Sequence, residues 1–329
     1  MPLVAAICTS CSAPVFVDSA RDAAICEHCG IPFVVEKAIN NYNTTNNITA
    51  GTVNIYNGNA GDFEIQAGKL VKYMGQATDV VMPDNVAVIG SGVFRGMGIT
   101  SVKIPNSVIE IENSAFRECG RLTSIDIPDS VTMIGDSAFE GCTSLANVTM
   151  PRNLTLIRNN AFNGCANLVS IEIPAAVTLI GDYAFASCTN LARIEIPATV
   201  ISIGNSAFTR CINITRIEIP PAVTSIGSEA FKGCMNLTSL IIQSSFIAIE
   251  HSEFAGCKNL ENVVMSDGLI FNEHAFSGTL YRETEDCQDR LRELYGKRWI
   301  AEGLCRYCGS YMHKKTFLGK KCKWCGKTY

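Results

Sequence analysis

The sequence of 329 residues lacks any long hydrophobic run, and its apolar stretches are far shorter than the roughly 20 residues of a membrane-spanning helix. Its start, MPLVAAICTSC, lacks the basic residues and the apolar core of a secretory signal. Histidine is scarce, with four residues, and there is no glycine-rich phosphate loop and no serine in a nucleophile elbow. We therefore expect a cytoplasmic protein that is not an enzyme, with no membrane association and no small-molecule substrate.

Charge is unevenly distributed along the chain, although the formal net charge is only −4. Residues 38–280 hold 13 Lys and Arg against 21 Asp and Glu, whereas residues 281–329 hold 12 against 6. A basic segment of this kind can contact nucleic acid or an acidic protein surface, and it can equally be a solvated face.

An internal repeat is the strongest feature of the sequence. The unit reads L-x-x-I-x-I-P-x-x-V-x-x-I-G-x-x-A-F-x-x-C, as in residues 122–142, and most of its copies are 23 residues apart. A short fixed period predicts a solenoid, in which each unit buries its apolar face against its neighbours. The phenylalanine of the unit recurs at Phe94, Phe116, Phe139, Phe162, Phe185, Phe208, Phe231, Phe254 and Phe276.

Each unit is predicted to hold one short strand and one bend. Ile125 and Ile127 alternate with polar residues, which is typical of a strand with one buried face. Pro128 then ends the strand, because proline has no backbone N–H to donate. Gly135 suits a bend on the far side of the coil. The pattern does not determine the handedness of the coil.

The I-x-I-P, I-G and A-F-x-x-C motifs resemble the BspA-like class of leucine-rich repeats over residues 62–280. The resemblance implies a bacterial protein that folds as a curved right-handed solenoid, mainly β, with a parallel sheet on its concave face used for protein recognition. The last copies depart from the pattern, since Gln243 and Ser266 replace the proline and Thr279 replaces the cysteine. Such drift is expected in units that cap a stack, and a hairpin from Asp62 is predicted to close the other end.

Sixteen cysteines are present, and their spacing separates them into groups. Seven occur once per repeat. They could form a redox or metal ladder, or they could be small buried residues that fill a tight turn, and we favour the second interpretation. Parallel side chains and an odd number argue against systematic disulfides. These seven are Cys119, Cys142, Cys165, Cys188, Cys211, Cys234 and Cys257.

Two columns of outward-facing residues are predicted on the concave sheet, with neighbours about 5 Å apart. The first column is Ser101, Ser124, Asn147, Ser170, Arg193, Arg216, Ser239 and Asn262, and the second is Lys103, Asp126, Thr149, Glu172, Glu195, Glu218, Ile241 and Val264. The face is either simply solvated or a protein-binding site with a charged centre (Glu172, Arg193, Glu195, Arg216, Glu218) and an apolar end. We expect Arg193 and Arg216 to compensate the stacked glutamates.

Two structural zinc sites are predicted, one at each end of the chain. Each has two C-x-x-C pairs with a separation that resembles zinc ribbons, at residues 1–37 and 301–329. Four thiolates close the coordination shell, so the metal stabilises the module and has no open catalytic position. Iron is the lesser alternative, and His28 and His313 are weaker candidate ligands. The predicted ligands are Cys8, Cys11, Cys26, Cys29, Cys305, Cys308, Cys322 and Cys325.

Two segments connect these modules to the solenoid. Residues 38–61 are rich in asparagine and form a predicted linker, whereas residues 281–300 have the pattern of a helix that covers the open end of the solenoid. The C-terminal ribbon interleaves aromatic and basic residues, which suits a minimal core, the interpretation we favour, or stacking on nucleic-acid bases.

Three functional hypotheses follow from the sequence. The first is an intracellular protein-binding scaffold that uses the concave face, with the zinc ribbons as docking modules. The second is a nucleic-acid-associated factor that acts through the ribbons, and the third is a cell-surface adhesin, a role known among relatives of the repeat. The absent signal and the zinc-site thiols favour the first over the third.

Overall fold

The computed structural model of the protein describes residues 62–244, 248–249, 252–265, 269–272, 274–284, 286–287 and 290, together with four short strands within residues 3–34. The N-terminal strands form two antiparallel hairpins. Strand β1 (Leu3–Ile7) pairs with β2 (Pro14–Asp18), and β3 (Ala23–Ile25) pairs with β4 (Pro32–Val34).

A third hairpin begins the solenoid, as the sequence from Asp62 predicts. Strand β5 (Phe63–Gln66) pairs antiparallel with β6 (Lys69–Tyr73). Ala67 and Gly68 between them both have positive φ angles, as a tight hairpin turn requires. Strand β6 also pairs in parallel with the first coil, so the hairpin covers the N-terminal end of one sheet.

The first sheet of the solenoid is built from the I-x-I-P strands, one per coil, and all its pairings are parallel. Hydrogen bonding divides it into three segments, β7 to β13, β15 to β17 and β19 to β23. Its strands are β7 (Asp79–Val81), β9 (Ser101–Lys103), β11 (Ser124–Asp126), β13 (Asn147–Thr149), β15 (Ser170–Ile171), β17 (Arg193–Ile194), β19 (Arg216–Ile219), β21 (Ser239–Ile242) and β23 (Asn262–Met265).

A second parallel sheet follows the bend after each proline, and the sequence analysis did not predict it. Where both side chains are described, its two-residue strands bury the second and leave the first partly or fully exposed, which is too short a pattern for periodicity to reveal. The strands are β8 (Val88–Ile89), β10 (Glu110–Ile111), β12 (Met133–Ile134), β14 (Leu156–Ile157), β16 (Leu179–Ile180), β18 (Ser202–Ile203), β20 (Ser225–Ile226), β22 (Ala248–Ile249) and β24 (Ile270–Phe271).

The repeated phenylalanines stack along the centre of the solenoid. From Phe94 to Phe276 their ring centroids are 5.1 to 5.5 Å apart in successive coils, with planes within 9° of parallel. Tyr73 of the hairpin lies against Phe94 at one end, and Tyr281 lies edge-on to Phe276 at the other. Removing one such ring typically costs about 3 to 5 kcal/mol, so the stack is a main source of stability.

The repeat cysteines are buried free thiols. Each Sγ donates a hydrogen bond to the carbonyl of the phenylalanine in the preceding coil, for example Cys119 to Phe94 at 2.9 Å and Cys188 to Phe162 at 3.2 Å. Burial also raises the pKa of the Cys119 and Cys188 thiols to about 12. The structure therefore supports the packing interpretation.

A ladder of Asn and Asp side chains also joins the coils, and the sequence analysis missed it. Oδ1 of each residue accepts a hydrogen bond from the backbone N–H at the equivalent position of the next coil, at 2.6 to 3.1 Å. Amide and carboxylate alternate, which separates the two carboxylates by two coils. The ladder residues are Asn113, Asp136, Asn159, Asp182 and Asn205.

The glycine of the I-G motif is needed for space and not for a left-handed bend. A Cβ atom on Gly135 would lie 2.5 Å from the backbone nitrogen of Asn113, and one on Gly181 would lie 2.7 Å from that of Asn159. Left-handed residues occur elsewhere in the turn, two positions before and two positions after the phenylalanine, and at the later position Gly141 and Gly164 have φ of 74°. Ser187 occupies the same position in its coil with φ of 58°.

At the C-terminal end, a 3-10 turn at Tyr281–Glu283 brings Tyr281 and Cys287 into buried positions. The Tyr281 hydroxyl donates to Asp286 at 2.6 Å. Most of the predicted helix of residues 281–300 lies outside the described residues. Among the described helices, none combines the length and the apolar character needed to span a membrane.

Candidate functional site

The two predicted columns lie on the outer face of the first sheet, the face expected to be concave. Register aligns them, since Ser170 pairs with Arg193 and Glu218 lies opposite Ile241. The buried residues of each strand alternate with them, so Glu172, Arg193, Glu195, Arg216 and Glu218 are all exposed. The structure thus brings the five predicted partner-binding residues together on one surface over three successive coils.

The charge compensation expected of the two arginines is only half correct. Arg216 forms an ion pair with Glu218 of its own strand, with Nη2 and Oε2 3.4 Å apart. Arg193 forms no ion pair with any described residue, because residues two apart on one strand bring their charges together only in some rotamers. Glu172 and Glu195 likewise have no ion pair within the described part of the chain, so their carboxylates are available to a partner.

At the N-terminal end of the face, hydroxyl groups of the protein donate hydrogen bonds to the carboxylates. Ser101 Oγ donates to Asp79 at 2.6 Å, and Thr100 Oγ1 donates to the same carboxylate at 3.0 Å. These hydrogen bonds, with that from Ser101 the stronger, lower the pKa of Asp79. Thr149 donates to Asp126 at 2.6 Å in the same way. The two carboxylates of this end are therefore paired within the protein.

The C-terminal end of the second column is apolar. Ile241 is partly exposed, and Val264, which lies beside it in register, is 61% exposed. Gln243 donates a hydrogen bond to Glu218 at the boundary between the charged and the apolar parts. The face thus changes along the solenoid from carboxylates paired with hydroxyl groups, through charges that are only partly paired among the described residues, to exposed aliphatic side chains.

The second sheet exposes a different surface that sequence reasoning missed. Leu156 and Leu179 are paired in register and are 36% and 39% exposed, and Met133 lies in the preceding coil. Ile109 and Ile201 lie at the position just before the strand in their coils and are about half exposed. Their absence from the prediction follows from the two-residue strands, whose outward positions cannot be assigned from sequence.

The eight predicted zinc ligands lie outside the described residues. In sequence, the first two C-x-x-C pairs fall between paired strands, because residues 8–13 connect β1 to β2 and residues 26–31 connect β3 to β4. A thiolate pair in each of two hairpin connections suits a tetrahedral four-sulfur site. Within the described part of the chain, no three His, Cys, Asp or Glu residues are grouped so as to hold a metal ion.

Comparison with protein families agrees with the solenoid. Residues 69–192 and 178–295 match the BspA type leucine rich repeat region, with six copies. The chain belongs to this BspA-type leucine-rich repeat family. The match spans both the first sheet and the phenylalanine stack, and it confirms the family resemblance and the repeat fold read from the sequence.

Solved structures of bacterial leucine-rich repeat proteins are similar to this BspA-type chain. One from Bacteroides ovatus is 27% identical, with a TM-score of 0.52 over 64% of this chain and 68% of that chain. One from T. pallidum is 26% identical, with a TM-score of 0.44 over 71% and 94%. One from Eubacterium ventriosum is 25% identical, with a TM-score of 0.47 over 51% and 46%. No curated protein matches the sequence.

Proposed function

We propose that the protein is a non-enzymatic binding scaffold that recognises another protein through the outer face of the first sheet. The observation that supports this most directly is that Glu172, Arg193 and Glu195 have no ion pair among the described residues and lie on the same face as the exposed Val264, three coils beyond Glu195. Charged groups without internal partners, next to apolar surface, are typical of a protein interface with a polar and an apolar part. The acidic second column disfavours nucleic acid as the ligand of this face.

In this proposal the protein acts in the cytoplasm, and the two zinc ribbons are structural docking modules. The ligands are Cys8, Cys11, Cys26 and Cys29 at one end and Cys305, Cys308, Cys322 and Cys325 at the other. The hairpins β1–β2 and β3–β4 support the first site, because they bring the ends of each cysteine-bearing connection together. The bound zinc supplies folding free energy to modules too small to be stable on their own.

The test is affinity purification of the full-length protein from its native cell, with quantitative mass spectrometry. The Glu195→Lys, Glu218→Lys double variant reverses the charge of the face, and we expect at least ten-fold lower recovery of the specific partner. Glu110→Lys, on the outward side of β10 in the second sheet, is the matched control and should leave recovery unchanged. Equal recovery with both variants would remove the first-sheet face from the proposal.

A further inference from the structure

The outer face of the first sheet repeats its side chains once per coil, and this period restricts which partner backbone can follow it. In the core of the solenoid, behind the sheet, the phenylalanine centroids advance by 5.1 to 5.5 Å per coil. Adjacent strands of a sheet are about 4.8 Å apart. The second column therefore advances by about 5 Å from Glu172 to Glu195, and by the same step to Glu218, Ile241 and Val264.

An α-helix matches this period, and an extended strand does not. A helix returns to the same face every 5.4 Å, whereas side chains on one face of a strand are about 6.7 Å apart. Over the four steps from Glu172 to Val264 the column covers about 20 Å, a helix about 22 Å and a strand about 27 Å. The helix stays within half a coil of register, whereas the strand is displaced by more than one coil.

The charges of the column specify the residues that such a helix would carry. Glu172 and Glu195 have no ion pair among the described residues, and Glu218 shares its carboxylate with Arg216 and Gln243. Stacked carboxylates repel one another, and a row of Lys or Arg from a partner relieves this repulsion. The exposed Val264 at the end of the row calls for an apolar side chain.

We propose that the second column binds an amphipathic helix of a partner protein that lies along the solenoid axis. Its Lys or Arg residues at i, i+4 and i+7 face Glu172, Glu195 and Glu218, and its apolar residues at i+11 and i+14 face Ile241 and Val264. A helix of the opposite direction carries the same pattern reversed. The inference rests on the proposed function, because both use the same face.

The test is selection of displayed random 20-residue peptides on the full-length protein, with counter-selection on the Glu195→Lys variant. We expect the enriched peptides to place basic residues at i, i+4 and i+7 and apolar residues one and two turns further on. A synthetic peptide with this pattern should bind at least ten-fold more weakly to Glu195→Lys and equally well to Glu110→Lys. A central proline in this peptide, which breaks the helix, should also weaken its binding to the wild-type protein at least ten-fold.

Basic residues at alternate positions, or binding that tolerates the proline, would overturn the helix inference, as would the failure of any peptide to discriminate against Glu195→Lys. The proposed function is judged separately by recovery of the native partner. If the double reversal still abolishes that recovery, the scaffold proposal stands and only the helical partner is excluded. If it does not, both are excluded.

Discussion

At the residue scale, the repeat cysteines illustrate how burial makes a thiol less reactive. Cys188 is fully buried, its thiol donates to the carbonyl of Phe162, and burial raises its pKa to about 12. In the unfolded chain the same thiol has its usual pKa near 9. Folding therefore holds the proton more tightly, and this contribution to stability is present below pH 9 and is lost as the pH rises toward 12.

This linkage predicts a pH-dependent effect of Cys188→Ala. At pH 7 the variant should be less stable by about 1 to 2 kcal/mol, since it loses a hydrogen bond and packed atoms. Above pH 9 the stability advantage of the wild type should fall by about 1.4 kcal/mol per pH unit, because only the wild type must keep the Cys188 thiol protonated in order to fold, so the difference should reach zero near pH 10 and then change sign. Urea unfolding of both proteins at pH 7, 9, 10 and 11 measures this difference in the free energy of unfolding. Val200→Ala, another buried truncation, should show a constant difference, and a constant difference for Cys188→Ala would contradict the account.

Left-handed residues offer a second test at this scale. Ser187 has φ of 58° where other coils have Gly141 or Gly164, and a side chain in this conformation costs roughly 1 to 2 kcal/mol. Ser187→Gly should stabilise the protein by about 0.5 to 1 kcal/mol, after the entropy that glycine adds to the unfolded chain. Ser202→Gly, within strand β18, should instead destabilise it. Denaturant midpoints of the two variants measure the contrast, and a loss of stability in both would show that strain is not the cause.

At the element scale, the core was more predictable than the hydrogen-bond ladders. The 23-residue period fixed the phenylalanine stack and the first sheet, because burial of an apolar side chain leaves a direct pattern in sequence. The Asn and Asp ladder was missed because these residues are also ordinary turn formers, and only the structure shows which backbone N–H each Oδ1 accepts. The role of the glycine in the I-G motif was also misassigned, because close backbone packing and a positive φ angle both favour glycine.

The alternation of amide and carboxylate in the ladder predicts that an added carboxylate lowers the stability of the protein. Asn159→Asp would place a carboxylate between Asp136 and Asp182, about 5 Å from each, and should cost about 1 to 2 kcal/mol at low salt. Asn205→Asp has only Asp182 as an acidic neighbour in the ladder and should cost about half as much. The loss should shrink in 1 M NaCl because salt screens the repulsion. Thermal unfolding at two salt concentrations measures this, and a salt-independent loss would indicate a steric cause.

At the scale of the whole molecule, the sequence determined the surface columns but not how their charges pair. Alternation along the strands was enough to assign Glu172, Arg193 and Glu195 to one face. Which arginine meets which glutamate depends on rotamers, and these cannot be read from spacing. The second-sheet surface at Leu156 and Leu179 was not predicted for a related reason, since two-residue strands have no period.

The zinc ribbons make a prediction for the intact chain. Metal analysis of purified protein should return about two zinc ions per chain, and Cys305→Ser should reduce this to about one, because each site needs four thiolates. Cys257→Ser, in the buried ladder, is the control and should leave the zinc content unchanged. A folded wild-type protein without bound metal would contradict the assignment.

The central claim is that a partner protein contacts the outer face of the first sheet. Site-specific photo-crosslinking in the native cell tests it most directly, with a photoreactive amino acid at Thr149 or Glu195 on this face and at Glu110 on the second sheet. The account predicts that the first two positions crosslink to the same discrete protein and that the third does not. Crosslinks from Glu110 alone, or none from Thr149 and Glu195, would contradict it.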